Sequence, residues 1–85
     1  MRFTIEQRHL TDSSGKPVGA ETVTFHVTDA DDADAAVRLF ISDDGGELLG
    51  DILKFAGFQA VATVRKVGGV YTLQVSPASQ RFAAR

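Results

Sequence analysis

Val61-Ala62-Thr63-Val64-Arg65-Lys66-Val67-Gly68-Gly69-Val70-Tyr71-Thr72-Leu73-Gln74-Val75 is the stretch that decides the fold. Two β-rich runs flank Gly68-Gly69, a pair that takes up the positive φ of a two-residue hairpin turn at no steric cost. With those glycines at the centre, Lys66 is expected opposite Tyr71, Val64 opposite Leu73 and Ala62 opposite Val75, all toward a core. Val67/Val70, Arg65/Thr72, Thr63/Gln74 and Val61/Ser76 then share the other face. Pro77 lacks a backbone donor and is expected to end the ladder, which leaves Ala78–Arg85 as a poorly ordered tail and 1–77 as one domain.

The N-terminus repeats the period of two. Phe3 and Ile5 alternate with Arg2, Thr4 and Glu6, and Val23, Phe25 and Val27 alternate with Thr22, Thr24, His26 and Thr28. Asp12-Ser13-Ser14-Gly15-Lys16-Pro17 between them is turn chemistry. Pairing Ile5 with Val23 and Phe3 with Phe25 puts every large apolar residue of this hairpin on one face. The opposite face then reads Arg8/Ala20, Glu6/Thr22, Thr4/Thr24 and Arg2/His26.

Between the hairpins, Ala33, Ala36, Val37, Phe40 and Ile41 recur at helical spacing, behind Thr28 or Asp29 as a cap and with Asp31, Asp32 and Asp34 near the positive end of the dipole. Ser42-Asp43-Asp44-Gly45-Gly46 ends that helix. Residues 46–57 read as helix or strand: Leu48, Leu49, Ile52, Leu53 and Ala56 match helical spacing better than alternation. Asp44-x-x-Glu47 has the form of a capping box, and Gly57-Phe58 the form of a glycine C-cap. The expected fold is therefore α+β. Two antiparallel β-hairpins are joined by one or two helices (ββ-αα-ββ), and one open antiparallel sheet is covered on one face by the helices.

Composition bounds the function. Twenty-four of 85 residues are Phe, Leu, Ile or Val, which is enough for one small core and no second domain. Cysteine is absent, so disulfides, thiolate metal sites and cysteine nucleophiles are excluded. No apolar run reaches membrane-spanning length and the charged start does not read as a signal peptide, so a cytoplasmic location without membrane contact is expected.

Catalytic and metal patterns fail on spacing. With Asp29 in the first position of a calcium loop, Asp34 stands where glycine is required and Phe40 where a bidentate glutamate should be. Gly45-Gly46 and Gly50 lack the Lys-Ser/Thr of a P-loop. His9 and His26 are the two imidazoles, and nothing at fixed spacing tunes them as bases. Neither an enzyme nor a cofactor or metal is expected.

What remains is binding. The net charge of -2 conceals eight acids and one arginine between residues 29 and 53, followed by five bases and no acid from 54 to 85. Thr24, His26, Arg65, Val67, Val70 and Thr72 form the expected interaction face, serving a homodimer or a docked protein partner. The alternative is a weak nucleic-acid-binding module using the basic C-terminal hairpin and tail, with Arg81 and Arg85 on phosphates. It is disfavoured because Phe3, Phe25 and Tyr71 are expected on the core side, away from stacking bases.

Overall fold

The structure, a computed structural model, describes residues 1–18 and 22–78. Five strands, β1 (Arg2–Thr11), β2 (Val23–Asp29), β3 (Glu47–Phe55), β4 (Gln59–Lys66) and β5 (Gly69–Pro77), form one antiparallel sheet in the order β2-β1-β5-β4-β3. One helix, α1 (Ala33–Asp44), covers one face. The fold is α+β as expected; of the one or two helices expected, one is present, and a strand follows it, so the element order is ββαβββ rather than ββ-αα-ββ.

The core lies where α1 crosses the central strands. Phe3 and Ile5 of β1, Leu73 and Val75 of β5, and Val64 of β4 close over Val37. Ala33, Ala36, Ala60 and Ala62 are buried between them, and these small residues let the helix sit close to the sheet. Asp32 caps α1, its carboxylate accepting from Ala35 N–H at 2.8 Å, so the cap comes three or four residues later than Thr28 or Asp29. Thr28 and Asp29 continue β2 instead, and Asp29 pairs with Arg2 at 3.4 Å.

Residues 47–55 are a strand, which corrects the helical reading. Gly45, left-handed at φ 79°, closes α1 through its N–H to Ile41 O, so Asp44 ends that helix rather than opening another. The doublets Leu48-Leu49 and Ile52-Leu53 have helical spacing, but an edge strand that is apolar on both faces produces the same pattern. Leu48 opposes Val64, and Ile52 packs on the core with it. Leu49 opposes Thr63, and Leu53 opposes Val61 on the far side. The ladder shifts between Leu49 and Leu53, where Gly50, a residue that a helix interior disfavours, takes φ 74°.

The final hairpin keeps its expected faces with a register displaced by two. Lys66 pairs with Gly69 and Val64 with Tyr71, so Val67 and Gly68 form the turn. An even shift leaves every side chain on its expected face: Ala62, Val64, Leu73 and Val75 are buried. Steric room explains the displacement. A Cβ on Gly69 would stand 1.9 Å from the Thr11 carbonyl oxygen, so the glycine is required where β1 crosses rather than at the turn centre. Pro77 ends β5 as expected, opposite Phe3. Of the expected tail, Ala78 donates to Arg2 O at 2.9 Å, and the rest lies outside the described residues.

The N-terminal hairpin changes face, and the change is countable. Beside the turn, Thr11 bridges Pro17 and Val18 N–H donates to Leu10 O at 2.9 Å, the register expected from the sequence. By His9, whose N–H donates to Thr22 O at 3.0 Å, β1 has moved one residue while the returning chain has moved four. The excess of three is odd, so the strand is rotated onto its other face. Phe3 opposes Thr28 and Ile5 opposes His26, in place of Phe25 and Val23.

Lys66 ties the end of α1 to the sheet. Its ammonium donates to Gln7 Oε1 at 2.8 Å and to the Asp44 carboxylate, and it stands 4.4 Å from the centre of the Tyr71 ring. Gln7 is 8% exposed, so this cation supplies a buried amide with a partner.

Three outcomes test this account. Gly69→Ala should destabilise the protein by more than about 2 kcal/mol in urea unfolding, and by more than Gly68→Ala, which meets the Tyr71 hydroxyl rather than backbone. Lys66→Met should cost about 1–3 kcal/mol in the same assay, because it strands Gln7 Oε1. Asp12 is held below the ordinary carboxylate range by the Ser14 hydroxyl first and the Lys16 N–H second. The order that this carboxylate gives the turn should therefore be complete above the usual carboxylate pKa and be lost as pH falls through the lowered one, read from the Ser14 and Lys16 amide shifts.

Candidate interaction surface

The two faces of the sheet carry opposite patterns. Under α1, one cross-strand row runs His26, Ile5, Val75, Ala60, Lys54, apolar in the middle and polar at both edges. On the uncovered face the corresponding row runs Phe25, Glu6, Gln74, Val61, Leu53, and its neighbour runs Val23, Arg8, Thr72, Thr63, Leu49. There the polar residues hold the centre and the apolar ones hold the edges. Phe25 is 59% exposed, Val27 62%, Leu53 57% and Phe55 50%.

The central charges of this face are matched within the chain. Arg8 meets Glu6 at 2.6 Å and Arg65 meets Glu47 at 3.0 Å. Arg65–Glu47 and Lys66–Asp44 join the acidic block to the basic one inside a single molecule.

The six residues expected to share one surface are divided. Arg65, Val70 and Thr72 stand together, with Arg65 opposite Val70 and Thr72 between Arg8 and Thr63. Val67 is 97% exposed at the β4–β5 turn. Thr24 and His26 lie on the helix side of β2, at the opposite end of the strand order from β4. That separation follows from the odd register shift, and it corrects the expectation of a single patch.

His26 occupies an edge cleft of about 240 Å³ lined by His26, Val27, Thr28, Phe40, Asp43 and Asp44. Its ring lies 4.8 Å from that of Phe40, and its Nε2 is 3.3 Å from Thr24 Oγ1. Thr24 Oγ1 also accepts from Gln7 Nε2 at 3.3 Å, so the hydroxyl is held between β1 and the imidazole. His9 stacks on Tyr71 with ring centres 4.2 Å apart and bonds Gly68 O at 3.0 Å. His26 is thereby engaged by its own strand and by α1, and His9 by the β4–β5 hairpin.

A second cleft of about 310 Å³ opens between the start of α1 and the β3–β4 turn, beside Phe55 and Phe58. Phe58 sits at φ 60°, a left-handed conformation that an aromatic side chain adopts at a cost of about 1–2 kcal/mol. It is 56% exposed in spite of that.

Sequence reasoning missed Phe25, Val27, Leu53 and Phe55. The signal for β3 was present, since a strand with leucine doublets cannot bury both faces under one helix. No pattern in β2 reveals which face its alternation turns outward. Among the described residues no group of three His, Asp or Glu side chains comes together to hold a metal, and no helix is long and apolar enough to cross a membrane. Comparison with known protein families, with curated proteins and with solved structures finds nothing that matches this chain.

Proposed function

We propose that this domain acts by binding protein rather than by catalysis, through the apolar edges of the uncovered sheet face, and that it associates with copies of itself. The observation that carries this reading is the inverted pattern: Phe25, Val27, Leu53 and Phe55 stand exposed on the sheet face that α1 does not cover. Burying apolar surface contributes about 25 cal/mol per Å², so exposed aromatic and aliphatic rows gain more from a partner than paired threonines do. Phe58 supports the same reading, because a strained and exposed aromatic adds nothing to the core.

Geometry favours protein over nucleic acid as the partner. Arg65 and Lys66, the cations of the basic hairpin, are each matched to a carboxylate. Phe25 and Phe55 belong to opposite edge strands, four strand spacings or about 19 Å apart, too far to stack on neighbouring bases.

Sedimentation velocity over a concentration series, at low and at high salt, tests the proposal. Because the face charges are internally matched, association should appear at both salt concentrations. The double variant Phe25→Asp/Leu53→Asp should weaken it while leaving the unfolding midpoint within about 0.5 kcal/mol of the parent, as both side chains are largely exposed. A monomer under all conditions removes self-association, and a single-stranded oligonucleotide that shifts the boundary at low salt favours the nucleic-acid reading.

A further inference from the structure

We infer that two copies of this chain join edge to edge through β2, antiparallel about a two-fold axis at His26, so that one sheet runs through both. This rests on the interaction-module reading and names its occupant and register.

The backbone sets the phase. At one end the Met1 amino group donates to Ala30 O and Ala30 N–H to Met1 O; at the other, His9 N–H donates to Thr22 O. Bonded pairs alternate between these anchors, so Thr24, His26 and Thr28 turn their backbone groups toward β1. Val23, Phe25, Val27 and Asp29 turn theirs toward the open edge.

That edge carries none of the devices that blunt edges elsewhere. Val23–Asp29 contains no Lys, Arg, Pro or Gly, and its ladder with β1 has no bulge. The other edge, β3, carries Asp51, Lys54, a left-handed Gly50 and a bulge. An added strand is therefore excluded at β3 and admitted at β2.

Two-fold symmetry fixes the register. Residues that exchange bonds across the axis must both be odd-numbered, and only a centre at His26 engages the whole of Val23–Asp29. Phe25 of each copy then opposes Val27 of the other on the uncovered face, joining two exposed apolar rows. Thr24 opposes Thr28 on the helix side, and the two His26 side chains meet at the axis. The one formal charge on the strand, Asp29, is held by Arg2 and opposes Val23, so no like charges face each other.

Size sets the strength. A seven-residue strand is about 23 Å long, and the molecule is 19 Å across its thinnest axis, which gives roughly 900 Å² in projection over both copies. That is near the weak, reversible end of specific interfaces, with roughly eight backbone hydrogen bonds adding to the apolar contact.

Two measurements on the full chain decide. In a sedimentation series, Val27→Pro removes an N–H that faces the open edge and should weaken association at least tenfold, as should Phe25→Lys. Leu53→Asp on β3 should leave it unchanged, with circular dichroism confirming the fold of each variant. Because the chain has no cysteine, His26→Cys should form a disulfide-linked dimer on oxidation, whereas Thr24→Cys, set opposite Thr28, should stay unlinked. Val27→Pro and Phe25→Lys associating as tightly as the parent, or Thr24→Cys cross-linking as readily as His26→Cys, overturns the inference. Association that Leu53→Asp abolishes and Val27→Pro spares keeps the interaction module and removes the β2 edge; a parent that never associates removes both.

Discussion

One helix has to cover five strands, and it cannot. A helix with its side chains is about 10 Å across, whereas five strands at about 4.8 Å spacing span twice that width or more. α1 therefore dries only the middle of the sheet, where Phe3, Ile5, Leu73 and Val75 are fully buried. At the edges, the helix side of β2 carries Thr24, His26 and Thr28, residues that tolerate water, and that of β3 carries Leu48 and Ile52 at the core margin with Lys54 beyond them. Period-two alternation then puts the apolar residues of β2 on the opposite face, and β3, apolar on both faces, adds Leu53 and Phe55 there. The exposed rows of Phe25, Val27, Leu53 and Phe55 follow from how narrow the cover is.

What was legible in the sequence depended on whether an error in register was even or odd. In the β4–β5 hairpin the expected turn lies one residue too late, which displaces the pairing by two, yet Ala62, Val64, Leu73 and Val75 still face the core, because an even slip preserves the side of every residue. In β1 and β2 the turn chemistry at Asp12–Pro17 was read correctly, and the bridge from Thr11 to Pro17 is in the expected register. Three residues of excess before Thr22 then reversed the second strand. Hydrophobicity cannot expose such an error: Val23-Thr24-Phe25-His26-Val27-Thr28 alternates equally well in either orientation, and the sequence holds no cue to how much of a helix will lie above it. Arg65, Val70 and Thr72 share a face for the first reason, and Thr24 and His26 turn to the other face for the second.

The segment 46–57 failed differently. Spacing of three and four is a helix signal only when one face is apolar, and a strand with paired leucines satisfies it without any helix. Local end signals did not decide, since Gly45 closes the preceding helix and Glu47 pairs with Arg65 across the sheet instead of capping. Tertiary pairing with β4 outweighed them, because Leu48 and Ile52 reach the core from β3 with a bulge between them. Gly50, unfavourable in a helix, fits the bulge at a positive φ.

The two edges of the sheet differ in the way that separates a finished boundary from an open one. β3 ends the sheet with a kinked ladder and charges at Asp51 and Lys54, so its exposed leucines can be covered face-on while its backbone is unsuited to a further strand. β2 is straight, short and uncharged up to Asp29, with its unpaired backbone groups on the same residues whose side chains are apolar and exposed. In an antiparallel sheet those two properties need not coincide: the residues that aim their amides outward are every second one, and so are those that face away from the helix. Here the odd register shift in β2 aligned them at Val23, Phe25 and Val27. Any strand that bonds to this edge therefore brings its own side chains beside Phe25 and Val27, and an in-register copy of β2 supplies the matching pair from each side of the axis.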